Sequence, residues 1–441
     1  MKTWIAMPMM LLTSVVSYGQ AVPTAEASIG SGPNVSWVDG TIHYSLTASQ
    51  LIQDGLYGGS GNITTATNLS GNVGFASTSK NRPFSLIYAG GILIGTAEEQ
   101  GTTTFQNIAV SQELVTGKWI FGIANAFSYL PQSPTTGYSG ISGVGDQGST
   151  PIVGPSGGPA GGVLTFAANR ISNQLTGDIE RRLTGATSLS GSANWSVLHF
   201  LDEQAGLNTT QISGQVGVNH RIDARNSVGA NVDYSTYHTN ANSSFDQPES
   251  PSFQTRGINF TYMRLWTRAL SMDASAGPQW ISSASGAVIP PSVNVAATVG
   301  LNYTKQKTNM GLHYSRGVNG GSGVQTGALS DSIMGSVGRP LSRNWMGSVN
   351  GNFTRTSGLV YLAPLPGGTI PAGANETTKS FYGGVQVTRA LGRVWSCFFN
   401  YTAQDQSINS AFIGQNAFSG FSQTFGIGIT YAPRSTRLGE F

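Results

Sequence analysis

The run Val293-Asn294-Val295-Ala296-Ala297-Thr298-Val299-Gly300-Leu301-Asn302-Tyr303-Thr304 alternates almost without a break. Its odd positions carry Val, Ala, Leu and Tyr; its even positions carry mostly Asn, Thr and Gly. Successive strand side chains point to opposite faces, so such a run has one apolar and one polar face. A helix would need its apolar residues three and four apart. The same pattern sets Leu189, Gly191, Ala193, Trp195 and Val197 against Ser188, Ser190, Ser192, Asn194 and Ser196. It sets Ile212, Val216, Val218 and Ile222 against Gln211, Ser213, Gln215, Asn219 and Arg221. Near the end, Trp395, Cys397, Phe399 and Tyr401 oppose Ser396, Asn400, Thr402 and Gln404.

From Thr41 to Tyr431 there are about 18 such segments, each long enough for the roughly 9–11 residues of a tilted transmembrane strand. The joins between them alternate short and long. Short joins fall near Lys80-Asn81, Thr116-Gly117-Lys118, Thr184-Gly185, Asp223-Ala224-Arg225-Asn226, Thr267-Arg268, Lys307-Thr308, Pro340-Leu341-Ser342 and Leu391-Gly392. Long joins rich in Gly, Ser and Pro fall near 55–66, 95–104, 131–162, 200–208, 239–252, 282–291, 317–325, 358–377 and 406–417. The expected fold is all-β: an antiparallel transmembrane β-barrel of about 18 strands, with 16 as the next count, short periplasmic turns and long extracellular loops.

A soluble β-sandwich or solenoid would also alternate, and three features weigh against it. Charged residues make up only 10% of the chain, against about 25% in an ordinary soluble domain, so the wet faces are Ser, Thr, Asn, Gln and Gly. Soluble meanders have no reason to alternate short and long joins. Aromatic residues recur near segment ends, at Trp119, Tyr129, Trp266, Trp280, Trp345, Tyr361, Trp395 and Tyr431, as in the girdles of membrane barrels. Alternation is poor near 82–115 and 161–170, where an inward loop is the alternative to a strand. Between Arg256 and Thr267, Ile258, Phe260 and Tyr262 share a face with Arg264, which a β-bulge or an interfacial arginine would explain.

The N-terminus reads as a signal peptide: Lys2, a mostly apolar Trp4 to Val16, and small residues around Ser17-Tyr18-Gly19, with cleavage before Gln20. The run is too short for a spanning helix. The expected division is 1–19 signal peptide, 20–40 short periplasmic segment, 41–432 barrel and 433–441 C-terminal tail. The single cysteine, Cys397, excludes an intramolecular disulfide and any multi-cysteine metal site. A formal net charge of +3 excludes a dense basic field for nucleic acid.

A signal peptide, about 18 alternating segments and a final aromatic-rich strand (Phe421, Phe425, Ile427, Ile429, Tyr431) resemble the bacterial outer-membrane β-barrel superfamily, porin-like in architecture. The resemblance spans nearly the whole mature chain. It implies an outer-membrane location, contact with membrane lipid and lipopolysaccharide, and insertion by the barrel-assembly machinery, which in that superfamily reads the last strand. The chain departs from the pattern in continuing past Tyr431: Pro433, Arg434, Arg437 and Glu440 make that stretch a poor continuation. Segment 131–162 resembles the constriction loop of general porins, without their acidic signature or arginine ladder. Tyr129-Leu130-Pro131-Gln132-Ser133-Pro134-Thr135-Thr136-Gly137 resembles a segment of uncharacterised barrels associated with exopolysaccharide-export loci.

Alternation aims Arg170, Asp178, Glu180, Arg221, Asp233 and Asp273 inward and puts His313 on a polar face. A lumen otherwise lined by hydroxyls and amides would hydrogen-bond neutral polar solutes and show weak ion selectivity. Segment 131–162, with Pro134, Tyr138 and its one charge Asp146, is expected to fold inward as the constriction. These features point to a passive diffusion channel for small neutral or weakly charged polar solutes, needing no cofactor and no metal. An alternative is an accessory barrel in polysaccharide export, or a surface-interaction protein, with a closed pore. A third reading takes His199 with Asp202 and Glu203 as a catalytic group at the rim; three polar residues on a loop arise readily by chance, and the expectation is that the chain is not an enzyme. A homo-oligomer would need a flat apolar outer patch, which requires knowledge of strand neighbours.

Overall fold

The computed structural model describes residues 40–55, 63–77, 79, 81–96, 101–131, 169–201, 208–240, 252–283, 289–305, 307–320, 327–359, 377–409, 419–433 and 436–438. The expected signal peptide, most of segment 131–162 and its residues Pro134, Tyr138 and Asp146 lie outside them.

The strands are β1 (Gly40–Asp54), β2 (Ile63–Ser77), β3 (Phe84–Gly95), β4 (Thr102–Thr116), β5 (Trp119–Pro131) and β6 (Asn169–Arg182). Then come β7 (Thr187–Phe200), β8 (Asn208–Arg221), β9 (Asn226–Asn240), β10 (Ser252–Leu265), β11 (Leu270–Ser283) and β12 (Ser292–Lys305). The last are β13 (Thr308–Asn319), β14 (Ala328–Pro340), β15 (Trp345–Gly358), β16 (Thr377–Ala390), β17 (Trp395–Asn409), β18 (Gly420–Tyr431) and the short β19 (Thr436–Leu438). Each of β1 to β18 pairs antiparallel with its chain neighbour, and β19 pairs with β1. The sheet closes where β1 pairs with β18, from Leu46 opposite Tyr431 to Asp54 opposite Gln423. The result is an 18-strand barrel, as expected, closed between its first and last strands.

Three local differences from the sequence reading emerge. The poorly alternating stretch near 82–115 forms two wall strands, β3 and β4. Phe75 packs on Phe84 where β2 and β3 begin their hairpin, so cross-strand packing supplies what alternation lacks. Between Arg256 and Leu265 there is no bulge: β10 keeps one register with β11 from Phe253–Ser283 to Leu265–Ser271. Arg264 is therefore an outward residue at the short-turn rim, in phase with Phe260. The C-terminal stretch does continue the wall, because Thr436–Leu438 pair with Gly40–Ile42 of β1 and extend the seam below β18.

Several short turns share one geometry. In the 183–187, 222–226, 266–270, 341–345 and 391–395 segments the first residue's N–H donates to the carbonyl of the last. In three of them a side chain caps the turn. Thr184 Oγ1 accepts from the amides of Ala186 and Thr187, Thr267 Oγ1 from those of Ala269 and Leu270, and Asp223 Oδ1 from those of Arg225 and Asn226. These are the self-bonding turn residues that offset the orphaned amides of a tight reversal.

The outward face is apolar between two polar rims. Phe260 and Ile427 are each 65% exposed, and Val216, Val232, Val293, Val349, Phe353 and Phe399 also face out. At the short-turn rim Arg181 lies over the Trp119 ring at 5.0 Å and Arg389 over Trp345 at 5.3 Å. At the long-loop rim Arg256 lies over Tyr234 at 6.0 Å, and Arg316 pairs with Asp331 at 2.7 Å. On β15 the outward row runs Trp345, Val349, Phe353, Arg355. Its span of about 33 Å along the strand, at a tilt near 40°, is about 25 Å of membrane depth, the height of the apolar band of a membrane barrel.

Candidate functional site

Wall strands fix which side chains enter the lumen, because residues in phase with the exposed outward apolar set face out and the others face in. On this criterion Arg170, Asp178, Glu180, Arg221, Asp233, Asp273 and His313 all sit on the inward face: Leu175 and Ile179 face out on β6, Val216 and Val218 on β8, Val232 and Tyr234 on β9, Trp280 on β11, and Met310 and Leu312 on β13. They do not form one cluster. Asp178, Glu180 and Asp273 lie toward the short turns, Asp233 near mid-height, and Arg221 at the short-turn rim, where its Nη2 donates to the Gly185 carbonyl at 2.8 Å.

Two inward charges escape the sequence reading, Glu113 on β4 and Arg182 at the end of β6. Glu113 stands in the stretch whose alternation is weak, so its phase is set only once β4 pairs with Ile123 and Phe121 of β5 facing out. The full inward set then shows a pattern that no single strand reveals. Glu113, Arg170, Asp178, Glu180, Arg182, Arg221, Asp233 and Asp273 all fall on β4–β11. The described inward faces of β12–β18 and β1–β3 carry no Asp, Glu, Lys or Arg. That sector presents accessible side chains such as Ser332, Ser348, Asn350, Gln386, Thr402 and Asn72, while Asn352, Thr354, Asn400 and Ser49 on the same face are buried.

Three of the carboxylates share a seat. Asp178, Asp233 and Asp273 are each directly opposite a glycine on an adjoining strand: Gly122, Gly257 and Gly300. A Cβ at any of these glycines would collide with the carboxylate, so the missing side chain lets each Asp lie against the wall. Asp233 is further held by Asn259, whose Nδ2 donates to Oδ1 at 2.7 Å.

The long-loop half differs from the expected water-lined tube. Inward residues there are buried, among them Leu51, Gln53, Asn68, Phe105, Phe200, Thr255, Thr378 and Ser422. Phe200 and Leu198 form one small apolar cluster, and Leu51, Ala66 and Leu93 another. Arg170 lies opposite Phe200, 2% exposed, with no partner for Nη1 or Nη2 among the described residues. By contrast Asp178 is exposed and Glu113, Glu180, Asp233, Asp273 and His313 are partly so. The sequence pattern gives in or out; only the assembled interior shows that one half is packed and the other accessible.

His199, next to the last residue of β7, is in phase with Trp195 and faces outward, exposed. Asp202 and Glu203 lie outside the described residues. The strand phase thus takes His199 off the lumen and away from the inward acids. Among the described residues no three His, Cys, Asp or Glu side chains converge as metal ligands would.

A closed antiparallel barrel with an apolar outer band and a polar inner wall defines a membrane-spanning β-barrel. Solved structures of similar overall outline include the outer-membrane protein OpdK of Pseudomonas aeruginosa, at 11% identity over 90% of this chain and 99% of that one, TM-score 0.41. P. aeruginosa OccK2 (OpdF) in complex with glucuronate matches at 9% identity over 89% and 98%, TM-score 0.42, and OprD of the same organism at 11% over 95% and 96%, TM-score 0.40. No family model matches the chain, and no curated protein matches its sequence.

Proposed function

We propose that the protein is an outer-membrane diffusion channel for small neutral or weakly charged polar solutes, exported by its signal peptide and constricted by segment 131–162. The observation that carries this reading is the charge-free inward sector of β12–β18 and β1–β3. Amides and hydroxyls there offer both donors and acceptors to hydroxyl-rich solutes without the desolvation that charge pairing demands. The opposing sector carries the acids Glu113, Asp178, Glu180, Asp233 and Asp273 beside the exposed Arg182 and Arg221, and this excess of acids biases the lumen toward cations. Pro134, Tyr138 and Asp146 are assigned to the constriction on their sequence alone. On this reading the chain has no enzymatic activity, and its partners are membrane lipid, lipopolysaccharide and the barrel-assembly machinery.

A second reading has a specific observation behind it. The packed long-loop half suits a closed barrel that serves as an accessory in polysaccharide export or as a surface-interaction protein. Single-channel recording of the refolded protein in planar bilayers, across salt concentrations, separates the two. Steady openings that neutral oligosaccharides block support the channel. A correctly folded barrel that never conducts refutes it in favour of the closed scaffold.

A further inference from the structure

The packed half of the charge-free sector gathers neutral polar side chains that no described residue pairs. On the inward faces of β15 to β18, Asn352, Tyr382, Gln404 and Ser422 stand directly opposite one another in turn. All four are buried. Among the described residues, Asn352 Oδ1, both amide atoms of Gln404 and Ser422 Oγ have no hydrogen-bond partner. One row toward the short turns, Asn350, Gly384, Thr402 and Thr424 lead across the wall to Gln53 of β1. Gln53 is fully buried; its Oε1 accepts from Thr64 Oγ1 at 3.3 Å, while its Nε2 is unpartnered in the same sense. So is Asn400 Oδ1 in the row beyond, where a Cβ at the opposite Gly426 would collide with it.

A buried amide or hydroxyl without a partner loses its hydration and gains no bond in return, so native walls rarely gather such groups. These supply donors (Gln404 Nε2, Gln53 Nε2, the Ser422 hydroxyl) beside acceptors (Gln404 Oε1, Asn352 Oδ1, Asn400 Oδ1). Sugar hydroxyls each donate and accept, which complements such a set. An ion would meet no opposite charge there. Tyr382, in the same row, adds an aromatic surface for the C–H faces of a ring. Access comes from the short-turn side, because Asn350 is exposed and Thr402 partly so. From Asn352 to Ser422 is three strand spacings, about 14 Å, the breadth of a short oligosaccharide. We propose that Asn352, Gln404, Ser422, Gln53 and Asn400, with Tyr382, form a subsite for a neutral oligosaccharide of two or three rings. The subsite deepens the channel reading and takes its role in passage from it.

The test uses full-length refolded protein and four probes: cellobiose, sucrose, maltotriose and raffinose. Binding is read twice, as block of single-channel current and as the rise each sugar produces in the thermal unfolding midpoint. Gln404→Leu removes both amide atoms at nearly constant size. It should weaken binding of the tightest probe about tenfold, the scale of one or two lost hydrogen bonds. It should not lower the midpoint of the sugar-free protein, since the amide it removes has no partner to lose. Ser422→Ala is the milder variant should Gln404→Leu fold poorly, with a loss of about threefold. Thr239→Val removes a buried hydroxyl on β9, on the charged sector, that is likewise unpartnered among the described residues; it should leave sugar binding unchanged. A parent that conducts but is neither blocked nor stabilised by any of the four sugars overturns the subsite and leaves the channel standing, the polar groups then being held by water alone. Sugar binding that survives both substitutions, or a midpoint that falls in sugar-free Gln404→Leu, overturns the subsite too. A parent that never conducts overturns the channel, and the midpoint shifts then decide the subsite by themselves: a rise lost in Gln404→Leu supports it, and no rise overturns it.

Discussion

Placing an arginine at Val349 and, separately, at the neighbouring Asn350 tests the orientation of the whole wall. Val349 faces out, 52% exposed, between the outward Val337 and Val385 on the adjoining strands. It lies about 13 Å along the strand from Trp345 and about 20 Å from Arg355, roughly 10 and 15 Å in depth at a tilt near 40°. That is close to the middle of the apolar band. The nearest outward charges on these strands, Arg339 and Arg389, are cations, and the outward acid Asp331 stands opposite Arg355 about 20 Å away along the strand, already paired with Arg316. Val349→Arg should therefore cost about 2–4 kcal/mol, the price of a lipid-facing arginine near the bilayer midplane. Asn350 faces in and is exposed, and Asn350→Arg should cost under about 1 kcal/mol. Guanidinium unfolding in phosphatidylcholine vesicles, followed by tryptophan emission, reads both. At about 1.4 kcal/mol per tenfold, the outward variant loses roughly thirtyfold to a thousandfold in its folding equilibrium. Equal costs, or a larger cost at Asn350, would refute the assignment of the outward face to lipid.

Neutralising the seated acids together (Asp178→Asn, Asp233→Asn, Asp273→Asn) should lower the potassium-to-chloride permeability ratio roughly twofold to fivefold at 0.1 M salt. Each carboxylate acts across about 8 Å of water with about 0.5 kcal/mol, cut by about half by screening, and the effect should fade near 1 M; an unchanged ratio at low salt counts against the lumen assignment. Asp223, in a short turn outside the membrane, has its pKa held below the usual value by the Asn226 side chain and then by the Arg225 amide. A depressed carboxylate contributes stability above its unfolded pKa of about 3.9 that is lost as pH falls through the folded value. Asp223→Asn should accordingly flatten the acid limb of a stability–pH series below about pH 4 and leave neutral behaviour nearly unchanged in slope. Removing residues 434–441 deletes the pairing of Thr436–Leu438 with Gly40–Ile42. A loss of about 1–2 kcal/mol is expected in the same unfolding assay, and no loss would mean that β19 adds nothing to the seam.

Much of this molecule is written locally. Runs such as 188–197 and 293–304 state strand, phase and face by themselves, since period two is a property of consecutive residues and of nothing else. The loop alternation, the aromatic rims at Trp119 and Trp345, and the inward phase of Asp178, Asp233 and Asp273 follow from the same reading. Tertiary structure decided what depends on neighbours around the ring. Glu113 acquired a phase only through its pairing with β5, and the stretch after Pro433 became wall only because β1 stood beside it. The confinement of inward charge to β4–β11 exists only when the strands are placed in order around a closed sheet. Val318, buried on β13, is the plainest case: its sequence is that of an ordinary strand residue. Its N–H donates to Gln279 and its carbonyl accepts from Tyr237, which are distant in the chain and adjacent only inside the barrel.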